Sequence, residues 1–172
     1  MELLNTLKLT KRRHGANNNR LDFPEHYGGI MGMTRARFSG KIGLSNLTRD
    51  SPNVWEWLQT LPVPIPWNAV QINKNLVCPP HKDKNNIGES YILSFGDYTG
   101  GELVIEGVAH DTRTGLLFNG YEKEHWNNPI VGTKYSVIFF TCKYSKENIN
   151  RKYDCHSNVS TLPCENDRLV GT

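Results

Sequence analysis

The segment Pro79-Pro80-His81-Lys82-Asp83 sets an imidazole and a carboxylate two residues apart. In an extended chain side chains alternate between faces, so His81 and Asp83 point the same way. A second imidazole stands 44 residues later at His125, in a segment expected to form another strand. Two imidazoles and one carboxylate on one side of an octahedral ion leave three positions open, a donor set that suits Fe(II). Those positions can take a bidentate 2-oxo acid and then dioxygen. A histidine and an aspartate at this spacing occur by accident in many chains, so the surrounding pattern matters. Lys134 follows His125 by nine residues and Ser136 by eleven. On one strand both share a face with Ile138, Phe140 and Cys142. The lysine can ion-pair the far carboxylate of 2-oxoglutarate, and the serine hydroxyl can donate to the same group. Residues 137–140 are too apolar for an exposed sheet edge, which puts this strand inside a sheet.

Such a site needs a β-rich frame, and the chain changes texture at Trp67 to supply one. Segments 67–73, 77–83, 90–95, 102–106, 108–112, 115–118, 124–128 and 135–142 read as eight short strands separated by turn residues. Gly100-Gly101 and Asn119-Gly120 suit turns between them. Eight strands make a jelly roll, so the expected fold is mainly β, a double-stranded β-helix of cupin-like form with a few flanking helices. Before it, Ser51-Pro52 followed by Val54, Trp55, Trp57, Leu58 and Leu61 reads as a helix with proline at its first position, ended by Pro62, Pro64 and Pro66. Residues 33–38 are a further candidate strand among glycine turns.

With 172 residues, 37% hydrophobic and 22% charged, the chain suits one globular domain rather than a disordered or fibrous protein. The expected layout is one domain over 1–172, with a catalytic core of about 67–143, a basic segment 1–50 and a polar tail 144–172. No apolar run approaches a membrane span, and the first ten residues are unlike a secretory signal, so an intracellular monomer, nuclear or cytoplasmic, is expected. The net charge of +3 conceals an asymmetry: residues 1–50 carry nine Lys/Arg against four Asp/Glu, or +5, leaving −2 for the rest. Lys11, Arg12, Arg13 and Arg20 around the polar string 14–19 form a basic arm suited to phosphates. The four cysteines, Cys78, Cys142, Cys155 and Cys164, include no CxxC pair and read as thiols. Cys155, His156 and Cys164 lack a matched second pair to complete a zinc site.

The string HKDKNNIGES at 81–90 resembles the metal-binding segment of TET enzymes, and GTKYSVIFFTCK at 132–143 resembles their final strand. Over roughly 67–143 the chain is similar to the Fe(II)/2-oxoglutarate dioxygenases, in the branch of TET and J-binding proteins that hydroxylate the 5-methyl group of pyrimidines, such as 5-methylcytosine, in DNA. The resemblance implies iron ligation by His81, Asp83 and His125 and 2-oxoglutarate binding by Lys134 and Ser136. It also implies a contact from Asn86 to the target base and stacking of that base on Phe140. Cys142 stands where TET enzymes carry a histidine that helps recognise the base. Lys134 stands where the family usually has arginine, so a bidentate clamp becomes a point charge. The cysteine-rich extension that supports DNA in TET enzymes is not found in this sequence.

Two other readings compete with a DNA oxygenase. The nine-residue step from His125 to Lys134 also resembles the spacing in prolyl hydroxylases, which would make a peptide or protein the substrate. A non-catalytic cupin-like binding module is the other, but such a module has no need of three open-faced ligands and a buried lysine.

Overall fold

The computed structural model describes residues 2–11, 27–35, 40–84 and 86–142. The arm from Arg12 to Arg20 and the tail with Cys155, His156 and Cys164 lie outside the described residues. The elements in chain order are α1 (Glu2–Asn5), β1 (Thr10–Lys11), β2 (Tyr27–Arg35), β3 (Ile42–Leu44), α2 (Asn46–Asp50), α3 (Pro52–Gln59), β4 (Ala69–Lys74), β5 (Asn86–Gly100), β6 (Leu103–Ile105), β7 (Val108–His110), β8 (Leu116–Phe118), β9 (His125–Asn127) and β10 (Ile130–Cys142). No helix of the described residues is long and apolar enough to cross a membrane.

The strands form two antiparallel sheets. The larger runs β1-β2-β4-β10-β5-β8, with β3 paired to β2, and the smaller runs β7-β6-β9. This is the expected double-stranded β-helix. Strand alternation divides the large sheet's two faces. Tyr135, Val137 and Phe139 of β10 and Val70 and Ile72 of β4 face Leu4, Leu7, Val54 and Leu58 from the N-terminal segment and α3. Trp67 meets Phe139 edge-on at 4.9 Å in that layer. On the other face Ile92, Phe118 and Ile138 meet Leu103 and Ile105 of the small sheet. The site lies on this second face.

β10 is central, between β4 and β5, as its apolar run requires. Its register sets Ser136 opposite Asn73 on one side and Ser94 on the other, and Ile138 opposite Gln71 and Ile92. α3 begins at Pro52, where the missing N–H costs nothing, and ends where the Thr60 N–H and hydroxyl both donate to the Trp57 carbonyl at 3.0 and 2.7 Å.

Two expectations change. Residues 77–83 do not form a strand, because Pro79 and Pro80 have no N–H to give a ladder; the segment makes an isolated bridge in which His81 and His125 exchange both backbone hydrogen bonds at 3.0 Å. The strand expected at 33–38 begins earlier, at Tyr27, and residues 36–39 lie outside the described residues.

Candidate active site

The two imidazoles are brought together by backbone pairing rather than by one strand's pleat. The His81–His125 bridge sets the rings 4.3 Å apart between centroids. Asp83 joins them because its N–H donates to the Gly120 carbonyl at 2.7 Å, which ties this loop to the turn preceding β9. One ligand atom from each of His81, Asp83 and His125 lies within 4.8 Å of the others. Asp83 Oδ1 stands 3.9 Å from His81 Nε2, and Oδ2 stands 3.8 Å from His125 Nε2.

The ring orientations are also set. His81 Nδ1 lies 2.8 Å from the Pro79 carbonyl and His125 Nδ1 3.0 Å from the Lys123 carbonyl. A carbonyl oxygen only accepts, so each Nδ1 carries a proton, and in a neutral ring the Nε2 lone pair is then the one offered inward. Burial holds the His125 imidazole below its usual titration range, with the neighbouring His81 adding to the effect. A neutral ring is the form that binds a metal.

These three groups line a cavity of about 560 Å³. Asn86, Ser136, Phe140 and Cys142, all anticipated from the sequence, line it too. The charged side chains on its wall are Asp83, Arg35 and Lys84. Sequence reasoning missed Arg35, as well as Gln71 and Asn73 on β4 and Asn127 on β9; alternation on those two strands was the available signal, with Gln71 and Asn73 in step with each other and Asn127 in step with His125.

Two anticipated residues sit differently. Asn86 gives its amide protons to Asp83 Oδ2 at 2.9 Å and Ser90 Oγ at 3.1 Å, so only its carbonyl oxygen remains to meet a ligand. Lys134 shares the inner face but lies one pleat beyond Ser136 and is not among the cavity-lining residues. It is 1% exposed, and its Nζ donates to the Gly101 carbonyl. The Tyr98 ring lies 5.3 Å from Nζ, and the Tyr98 hydroxyl is buried with no hydrogen-bond partner among the described residues. No ion pair among the described residues, taken out to 4.0 Å, includes Lys134. Burial pushes its amine down to about 8. Gly101 makes this packing feasible, with a φ of 70° and a position where a Cβ would stand 2.8 Å from Ile130 Cγ1 and 3.1 Å from Lys134 Cδ.

No family model and no curated protein matches the sequence. Solved structures do match in fold. An oxidoreductase of the 2OG-Fe(II) oxygenase family from Burkholderia pseudomallei aligns with a TM-score of 0.56 at 16% identity, over 81% of this chain and 75% of that one. NgTET1 in complex with 5mC DNA aligns with a TM-score of 0.51, also at 16% identity, over 69% of this chain and 62% of that one. The chain thus spans less than two thirds of NgTET1, and the double-stranded β-helix is what it shares with both structures.

Proposed function

We propose that this protein is an Fe(II)- and 2-oxoglutarate-dependent dioxygenase that hydroxylates the 5-methyl group of a pyrimidine base in DNA. The observation that carries the oxygenase reading is the convergence of His81, Asp83 and His125 on the wall of one cavity. Their donor set fits Fe(II): two imidazoles presenting Nε2 and one carboxylate, with the cavity side left open. Fe(II) and 2-oxoglutarate bound there would supply oxidation of an unactivated C–H bond by dioxygen, coupled to loss of carbon dioxide and formation of succinate.

The chain's own groups provide the rest. The Pro79 and Lys123 carbonyls hold the two rings in the ligating tautomer. Lys134 is a buried cation whose Nζ has a carbonyl and an aromatic ring for neighbours, with the Glu102 and Asp111 carboxylates acting on it from beyond ion-pair distance. A dicarboxylate's far end answers that need, with Lys134 exchanging the Gly101 carbonyl for it and Ser136 donating from the next pleat. Ile138, Leu103 and Phe118 keep that end of the cavity apolar.

The substrate assignment rests on the remaining lining. Phe140 offers a face on which any base can stack, and Arg35 and Lys84 suit flanking phosphates. NgTET1, a structure of similar fold, was crystallised with 5mC DNA, which is consistent with this reading. DNA incubated with protein, Fe(II), 2-oxoglutarate and ascorbate should yield 5-hydroxymethylpyrimidine nucleosides by mass spectrometry. Phe140→Ala should lower DNA-stimulated succinate formation by about five- to hundred-fold, the worth of one stacking contact of roughly 1 to 3 kcal/mol. If DNA neither stimulates succinate formation nor binds in a salt-dependent way, while a peptide library does stimulate it, the substrate is a protein.

A further inference from the structure

We infer that Asn86 and Gly120 are positioning residues for the Asp83 carboxylate, Asn86 by holding its Oδ2 and Gly120 by leaving the space that oxygen occupies. The inference rests on the proposed metal centre and concerns how this chain shapes it. Asp83 lies on a loop, where a short side chain has several rotamers open to it. Three contacts remove that freedom. The Asp83 N–H is fixed at 2.7 Å to the Gly120 carbonyl. Asn86 Nδ2 donates to Oδ2 at 2.9 Å and to Ser90 Oγ at 3.1 Å, and Ser90 is fully buried on β5. The amide therefore links a loop carboxylate to a central strand.

Gly120 acts by what it lacks. It is buried, and a Cβ built on it would stand 2.6 Å from Asp83 Oδ2, 3.0 Å from Phe118 Cε2 and 3.2 Å from His125 Cε1. No left-handed backbone conformation is recorded there, so the demand for glycine is spatial rather than conformational. A methyl group would be lodged between two of the three candidate ligands. The carboxylate is the movable party, since Phe118 and His125 are packed edge to face at 5.2 Å. The chemical consequence concerns denticity. With one lone pair of Oδ2 engaged by the Asn86 amide, Oδ1 is the less encumbered oxygen, which favours a carboxylate that occupies one metal position over one that occupies two. An octahedral ion would then keep three positions, enough for a bidentate cosubstrate and dioxygen together, where a two-oxygen carboxylate would leave room for the cosubstrate alone.

The test is titration of the full chain, stripped of metal, with Mn(II) alone, together with the visible spectrum of the Co(II) form, which reports coordination number. Gly120→Ala and Asn86→Ala should each weaken Mn(II) binding by about 10- to 100-fold and alter the Co(II) spectrum while circular dichroism stays native. Ser90→Ala, which cuts only the anchor behind Asn86, should weaken binding less. If Gly120→Ala fails to fold, the Asn86 and Ser90 variants decide the matter. Native affinity and an unchanged spectrum in Asn86→Ala, with a raised KM for DNA, would make that residue a base contact and overturn the inference. Absence of Mn(II) binding by the unaltered chain would instead remove the metal centre itself.

Discussion

Lys134→Met is expected to weaken 2-oxoglutarate binding by about a hundredfold or more and to raise the melting temperature of the ligand-free protein. Both effects come from one buried ammonium group. Losing one partner of a buried, hydrogen-bonded charge pair costs about 2 to 5 kcal/mol, or roughly thirty- to several-thousand-fold in affinity. Without a ligand the same charge opposes folding. Burial lowers the amine from its ordinary 10.5 to about 8, a difference worth on the order of 3 kcal/mol. Methionine fills a similar volume without the charge, though it leaves the Gly101 carbonyl without its donor at a cost of about 1 kcal/mol. The net gain of about 1 to 2 kcal/mol corresponds to a rise of roughly 2 to 8 °C. Lys134→Arg keeps a cation for the carboxylate and should bind better than Lys134→Ala.

The pH dependence has opposite signs with and without cosubstrate. Lys134 is depressed in the folded state, so between about 8 and 10.5 the unfolded chain holds a proton that the folded chain has released. Its destabilising contribution is complete below about pH 8 and fades as pH rises toward 10.5. Affinity for the dicarboxylate should fall as pH rises through the same range, since the neutral amine does not pair with it. Thermal melts and calorimetric titrations from about pH 7 to about pH 10 read both. A Lys134→Met protein that melts lower and still binds 2-oxoglutarate normally would make this lysine a packing residue.

The parts of the fold that follow one strand's alternation were readable without coordinates. Ser136, Ile138, Phe140 and Cys142 line one cavity because β10 is a long central strand, and its period of two was visible in residue types. β5 was harder, because Gly96 and Gly100 look like strand breaks, yet the strand runs from Asn86 to Gly100. α1, β1 and β3 are two to four residues long and gave no periodic signal to read.

Within the candidate site, the three residues that converge were legible but the cause of their convergence was not. His81 and Asp83 meet through a bridge to His125 and a bond to the Gly120 carbonyl, across 44 and 37 residues, where the sequence suggested a continuous pleat. Lys134 shares the predicted face, yet its retreat to the Gly101 carbonyl depends on a partner 33 residues away with a left-handed backbone. The bond from Asn86 to Asp83 spans only three residues, but its direction is set by Ser90 and by β5 beginning at Asn86. Alternation sorts side chains onto faces; it does not say how far along a face a long one reaches, or which acceptor a short amide prefers.

Replacing His81, Asp83 or His125 by alanine should weaken metal binding to a similar degree in all three cases, while their effects on stability should differ widely. Four-ligand structural sites supply about 10 to 16 kcal/mol of binding free energy, so one ligand is worth on the order of 3 to 4 kcal/mol, a few-hundred- to thousand-fold. Stability follows burial instead. His125 is 4% exposed and stands edge-on to Phe118 at 5.2 Å, so His125→Ala opens a gap in the inner core and should cost about 1 to 3 kcal/mol. The His81 side chain is 32% exposed and its backbone bonds to His125 survive truncation, so His81→Ala should change stability by no more than about 0.5 kcal/mol. Asp83→Ala falls between, because it frees the Asn86 amide but removes a carboxylate that is 29% exposed. Metal titration and chemical denaturation of the three variants separate ligation from packing. Metal loss that tracked the stability loss, large for His125 and negligible for His81, would mean that His125 acts by holding the core together, and stoichiometric metal retention in any one variant would remove that residue from the ligand set.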